Sequence, residues 1–161
     1  LQVWTRIGAA ARRMLGDHQA ATLLAGIASL PVRRSRATRT LGSYVSRAGH
    51  AVCIRLQFAL EPALLEETFL HELAHACDHL SNQPGRPYRR VHGGGWQAWA
   101  AALGIEGKVR GQSEVLTQLY REKLKPVAVC RRCGVKFQRL RRLSRRRNYL
   151  HQACGGQLDL L

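Results

Sequence analysis

At 161 residues the chain suffices for one ordinary domain, or a small domain with an appendage, and its 45% hydrophobic content excludes wholesale disorder. No apolar run approaches the length of a bilayer span, and the opening Leu1-Gln2-Val3-Trp4-Thr5-Arg6 has no basic segment leading into an apolar core, so neither a membrane span nor a secretory signal is expected. A net charge of +16, from 26 Lys and Arg against 10 acids, points to nucleic acid or an anionic surface as partner.

Val3, Ile7, Ala10, Ala11 and Met14 recur at helical spacing over residues 3–15, as do Leu23, Leu24, Ile27 and Leu30 over residues 19–30, up to Pro31. The period then changes. Val52, Ile54, Leu56 and Phe58 alternate with Cys53, Arg55 and Gln57, which predicts a strand with one buried face. Residues 41–47 are its expected partner, across an Arg47-Ala48-Gly49-His50 turn. Glu61 and Pro62 open a long helix with an apolar face of Leu65, Phe69, Leu73 and Cys77. A turn-rich loop is expected over 81–95, a helix from Trp96 to Leu103 stopped by Gly104, and another over 113–125 before Pro126. These elements predict an α+β fold, with a domain over 1–125 and a small basic module over 126–161.

The long helix carries His71-Glu72-Leu73-Ala74-His75. Histidines one turn apart share a helix face, so two imidazoles can meet on one zinc ion while Glu72 stands ready to take a proton from a water the metal activates. A catalytic zinc needs a third ligand and one open position. His79 fails, because eight residues of helix place it about 12 Å from His71, whereas ligands of one zinc sit roughly 3–4 Å apart. No Asp or Glu occurs between Asp78 and Glu106, which weakens a carboxylate ligand, and the positions three and six after His75 are Asp78 and Ser81 rather than Gly and His. His92, in His92-Gly93-Gly94-Gly95-Trp96, lies on a loop long enough to return to the helix, beside glycines that permit tight turns. The expected site is therefore His71, His75 and His92 around zinc, with Glu72 as general base. Tyr88 and His79 are candidates for stabilising an oxyanion. Trp96 and Trp99 are expected in the core, and Cys53 and Cys77 as small apolar groups.

The five cysteines, an odd number with three near the C-terminus, do not suggest a secreted disulfide framework, so a cytoplasmic placement is expected, with the nucleoid if the chain is bacterial. Cys130-Arg131-Arg132-Cys133 and His151-Gln152-Ala153-Cys154 form two knuckles whose spacing fits a Cys3His structural zinc site. A redox pair at Cys130 and Cys133 would account for one knuckle alone. The intervening loop carries Arg139, Arg141, Arg142, Arg145, Arg146 and Arg147, with Phe137 and Tyr149 able to stack on bases. That composition suits sequence-independent contact with a nucleic-acid backbone.

Together these residues resemble the SprT-like (Spartan-type) zinc metalloprotease family. The resemblance rests on Leu41-Gly42-Ser43-Tyr44, on Thr68-Phe69-Leu70-His71-Glu72-Leu73-Ala74-His75, on His92-Gly93 followed by Trp96, and on the ribbon residues Cys130, Cys133, Cys154, Gly155 and Gly156. It covers about residues 30–161. It implies a zincin-like domain followed by a zinc ribbon, a catalytic zinc on His71, His75 and His92, and a DNA-dependent protease acting on proteins crosslinked to or tightly bound on DNA. The chain departs from the family pattern at His151, where the second knuckle usually begins with cysteine. A competing reading, from the same residues, is a non-catalytic zinc-ribbon DNA-binding or regulatory protein whose upstream metal site is vestigial or structural.

Overall fold

The computed structural model of the chain describes residues 2–89, 91–105 and 113–161. It divides into two compact units, 1–116 and 117–161, with mixed α and β structure. The first holds helices α1 (Gln2–Leu15), α2 (Asp17–Ala28), α3 (Pro62–Asn82) and α4 (Gly94–Ala102), with strands β1 (Val32–Arg34), β2 (Gly42–Arg47) and β3 (His50–Leu56). Helix α5 (Glu114–Glu122) spans the border, and the second unit holds β4 (Lys125–Cys130), β5 (Lys136–Arg139) and β6 (Leu158–Leu160). Among the described residues no helix is long and apolar enough to cross a membrane.

The first sheet has the order β1-β3-β2, with β3 parallel to β1 and antiparallel to β2. Ala48 and Gly49 both have positive φ, at 49° and 84°, which is the backbone of a tight two-residue hairpin matched to strand twist. Strand β1 was not anticipated: three residues with two arginines carry no periodic signal, and all three are exposed. Strand β3 ends two residues earlier than the alternation suggested, so Phe58 falls beyond it and is half exposed. Cys53 and Cys77 are fully buried, as expected of small apolar groups.

One core joins α1, α2, α3, α4 and β3. Ile7, Ala11, Leu23, Ile54, Leu73, Trp96, Trp99 and Leu103 all belong to it, so the two tryptophans are interior residues. The small residues Gly8, Ala10 and Ala11 of α1 are buried with Ile7. Arginines of α1 also satisfy the far end of α4: Arg6 donates to the Gly104 carbonyl and Arg13 to that of Ala102, both at 2.9 Å. Cations at these positions complement the negative end of a helix dipole. Pro62 begins α3, where its missing N–H removes a donor that has no intrahelical partner in any case.

Close approach of α3 to β2 depends on Gly42. A methyl there would lie 2.8 Å from Thr68 Cγ2 and 3.1 Å from both Cγ and Oε1 of Glu72. The second unit is a three-stranded antiparallel sheet, order β5-β4-β6, closed at one end by the cysteine knuckles. Ile54 sits at the centre of the first sheet and is 1% exposed. Ile54→Ala is expected to destabilise the first unit by about 2–5 kcal/mol in urea denaturation. Tryptophan fluorescence reads that unit alone, since Trp4, Trp96 and Trp99 all lie within it.

Candidate metal centre and active site

Helix α3 brings His71, Glu72, His75, Asp78 and His79 onto three successive turns. The segment after it returns the chain to the helix face and delivers His92 just before α4. His92 takes a left-handed backbone conformation, φ 63°, an uncommon state for a residue with a Cβ and one associated with functional positions. The result is convergence of three Nε2 atoms. His71 Nε2 lies 3.0 Å from His92 Nε2 and 3.3 Å from His75 Nε2.

Those separations fit a metal. Tetrahedral zinc with Zn–N bonds near 2.0–2.1 Å requires nitrogens about 3.3 Å apart. The protonation states agree. Burial, then the neighbouring His92, lowers His71 to about 4. Burial, then His71 and His92, lowers His75 to about 3. Burial lowers His92 as well. All three imidazoles are therefore neutral near pH 7 and hold lone pairs for a cation. The Trp96 indole lies against all three, with ring centroids 4.8, 5.4 and 4.6 Å from His71, His75 and His92. An apolar floor of this kind helps to dry the site.

Glu72 is 7% exposed. Its Oε2 accepts a hydrogen bond of 2.6 Å from the backbone N–H of Tyr44. Tyr44 stands opposite Ile54, whose own N–H turns away to the Pro31 carbonyl, so this is an N–H that β2 presents at its open edge. Burial pushes the Glu72 carboxyl up to about 7, against the opposing pull of the Tyr44 N–H. A carboxyl titrating near neutrality is suited to proton transfer.

His79 is not a ligand. It is fully buried, its Nε2 donates to the Arg86 carbonyl at 2.8 Å, and its Nδ1 accepts from the Tyr44 hydroxyl at 2.7 Å. The side chain is a strut tying α3 to β2 and to the loop. Tyr88 is also committed: its hydroxyl lies 2.9 Å from His75 Nδ1 and donates to Asp78 Oδ2 at 3.0 Å. Neither group is free to meet a developing oxyanion. Sequence reasoning assigned nothing to Asp78, a lone acid with no motif to single it out.

In the second unit Cys130, Cys133, His151 and Cys154 form a separate cluster able to hold a metal. Cys154 Sγ lies 3.5 Å from Cys130 Sγ, 3.6 Å from Cys133 Sγ and 3.2 Å from His151 Nδ1. His151 Nδ1 is 3.1 Å from Cys133 Sγ. Although burial pushes the Cys130 thiol up, the backbone N–H groups of Cys133 and Arg132 outweigh it and bring the thiol down to about 6. A thiolate is the ligand form. Arg139 ends β5 and the other five arginines follow it in the loop; all six are exposed.

Metal counting tests the independence of the two clusters. The wild-type protein is expected to bind two metal ions, and His71→Ala and Cys130→Ser one each, by elemental analysis of the purified protein. The pH dependence of the metal-free state has a definite sign. The lowered His71 and His75 contribute stability that is present above the unfolded value of 6.5 and lost as pH falls toward about 3–4. The raised Glu72 acts oppositely, its contribution being present below 4.5 and lost as pH rises through about 7. In chelator, tryptophan-detected stability is therefore expected to fall below pH 6.5, and to fall more steeply in Glu72→Gln, which lacks the opposing group.

A search of curated proteins and a search of solved structures each returned no match. A model of the SprT-like family matches residues 17–118, which takes in α2, the first sheet, α3, the three histidines and α4. The match covers more than half of the chain, and the chain belongs to the SprT-like family.

Proposed function

We propose that the chain is a zinc metalloendopeptidase of zincin-like architecture, in which His71, His75 and His92 hold the metal and Glu72 is the general base. The observation that carries this reading is the meeting of three neutral Nε2 atoms beside a buried carboxylate. Three protein donors leave a fourth position for water or substrate, as catalytic zinc requires. Zinc held by His71, His75 and His92 would supply Lewis acidity, lowering the pKa of a water and polarising a substrate carbonyl. Glu72 does the proton work. With Oε2 held by the Tyr44 N–H, Oε1 takes the proton from the attacking water and returns it to the leaving amine. The same N–H fixes the carboxylate against rotation, so its position does not have to be found anew in each turnover.

We propose further that DNA is the partner and that proteins crosslinked to or tightly held on DNA are the substrates. Support comes from charge and from the second unit. Twelve Lys and Arg stand against two acids over residues 121–161, and the six arginines from Arg139 to Arg147 are exposed. Beside them is a concavity of about 760 Å³ lined by Phe137, Arg139, Leu143, Tyr149 and Leu150, among others. Aromatic faces next to a guanidinium suit an unpaired base and its phosphate. The Cys3His cluster, whose four donors would leave no open position, would hold the structural zinc of a ribbon.

The test is cleavage of a DNA-binding protein followed on gels with and without DNA. Cleavage is expected only with DNA. Glu72→Gln is expected to reduce it by about 10²–10⁴-fold while retaining both zinc ions. Equal cleavage with and without DNA would remove the coupling but keep the peptidase. Full activity in Glu72→Gln would remove the assigned base.

A further inference from the structure

Asp78 is 3% exposed, and among the described residues no Lys or Arg forms an ion pair with it. A buried carboxylate without a cation is costly unless other groups compensate it. Both of its oxygens are engaged. Oδ1 accepts from Asn82 Nδ2 at 2.9 Å, one helical turn away, and Oδ2 accepts from the Tyr88 hydroxyl at 3.0 Å. Room for the carboxylate comes from α4: a methyl on Gly95 would lie 2.1 Å from Asp78 Oδ1 and 2.9 Å from Asn82 Nδ2.

The directions of these bonds determine one more. A carboxylate only accepts, so the Tyr88 hydroxyl spends its single proton on Asp78. Toward His75 Nδ1, 2.9 Å away, Tyr88 can then only accept, and that nitrogen must carry the proton. A neutral imidazole protonated at Nδ1 has its lone pair at Nε2, the atom that faces His71 and His92. Among the described residues neither His71 nor His92 has a protein partner on its Nδ1, so His75 is the one ligand whose tautomer the fold dictates.

We propose that Asp78 and Tyr88 form a relay that locks His75 in its Nδ1–H tautomer and so presents a preformed metal-binding nitrogen. They are positioning residues, and the inference rests on the proposed zinc site of His71, His75 and His92. The loop is built for the task. His79 Nε2–H holds the Arg86 carbonyl, and Gln83 bonds both the N–H and the carbonyl of Arg89, so Tyr88 is fixed between two anchored residues. Asp78 thereby acts on the imidazole through a single intervening hydroxyl. This accounts for a buried carboxylate with which no described Lys or Arg pairs: through Tyr88 and His75 it would answer the charge of the metal. It also explains Gly95, whose missing side chain makes space for the acid.

The test uses the full chain and zinc alone. Competition with a chromogenic chelator reads the affinity of each site. Tyr88→Phe, which removes only the hydroxyl, and Asp78→Asn are each expected to weaken zinc at the histidine site by about 10–100-fold. The ribbon zinc should be unchanged and serves as the internal control. Long-range ¹H–¹⁵N spectra of the chain with the histidine site empty give the signature that loss of packing alone would not. His75 is expected as the Nδ1–H form in the wild type and as a tautomer mixture in Tyr88→Phe. Wild-type zinc affinity in both variants, or an Nε2–H His75 in the wild type, overturns the relay while leaving the peptidase reading intact. A wild-type protein that binds zinc only at the ribbon overturns both. Should Tyr88→Phe fail to fold, judged by tryptophan fluorescence, Asp78→Asn decides by the same two measurements.

Discussion

From Leu70 to His79, every residue of α3 except His71 is buried, and this segment carries five polar side chains of the site. A polar group in that setting costs free energy of about 1–3 kcal/mol if it is left unmatched. The surroundings of α3 are arranged to prevent it. Glu72 takes the edge N–H of β2, His79 takes Tyr44 and Arg86, and Asp78 takes Asn82 and Tyr88. Among the described residues no buried side-chain nitrogen or oxygen lacks a partner. The three imidazole Nε2 atoms are the exception in kind, since they face one another rather than donors of the protein. Their neutrality and spacing make sense together once a cation is allowed between them.

The two donor sets differ as their proposed roles require. The histidine cluster has three borderline nitrogen donors over an indole floor, with a carboxylate alongside. The cysteine cluster has four donors, three of them soft, and backbone amides that favour the thiolate of Cys130. Replacement of a cysteine by His151 keeps four donors and lowers the negative charge of the set. His151 presents Nδ1, the ring nitrogen nearer its backbone, which suits a knuckle where the chain turns within a few residues.

How far the site was legible in the sequence depended on whether its geometry is local. His71, Glu72 and His75 share one helix, where spacing is geometry, so their relation could be written down before any fold was known. His92 was reached by exclusion, because no acid intervenes and a glycine run follows it. The relay was not legible. Asp78 and Tyr88 are ten residues apart across a loop of irregular backbone, and no period links such positions. The same limit applies to β1, whose pairing with β3 is non-local and whose side chains give no pattern. At Phe58 local alternation misled, since the strand stops at Leu56 and the chain turns outward. Tyr88 and His79 illustrate a further difficulty: a polar residue near a site can be named from sequence, but what its hydrogen bonds are spent on cannot.

The charge of the second unit bears on its stability as well as on its partner. Residues 117–161 carry twelve Lys and Arg against two acids, yet the buried hydrophobic side chains described there are Val127, Ala128 and Cys130. So small a core cannot offset the loss of chain entropy, and like charges crowded on one small unit oppose compaction. One pair is relieved internally, where Arg131 reaches Asp159 at 2.6 Å, but both side chains are largely exposed and such a pair contributes little. Metal held by the Cys3His cluster would be a term large enough to hold this fold. A polyanion lying along the arginines would add to it by cancelling the repulsion, so metal binding and the proposed DNA binding stabilise the same folded state. Each would then tighten the other by the amount that it shifts the folding equilibrium.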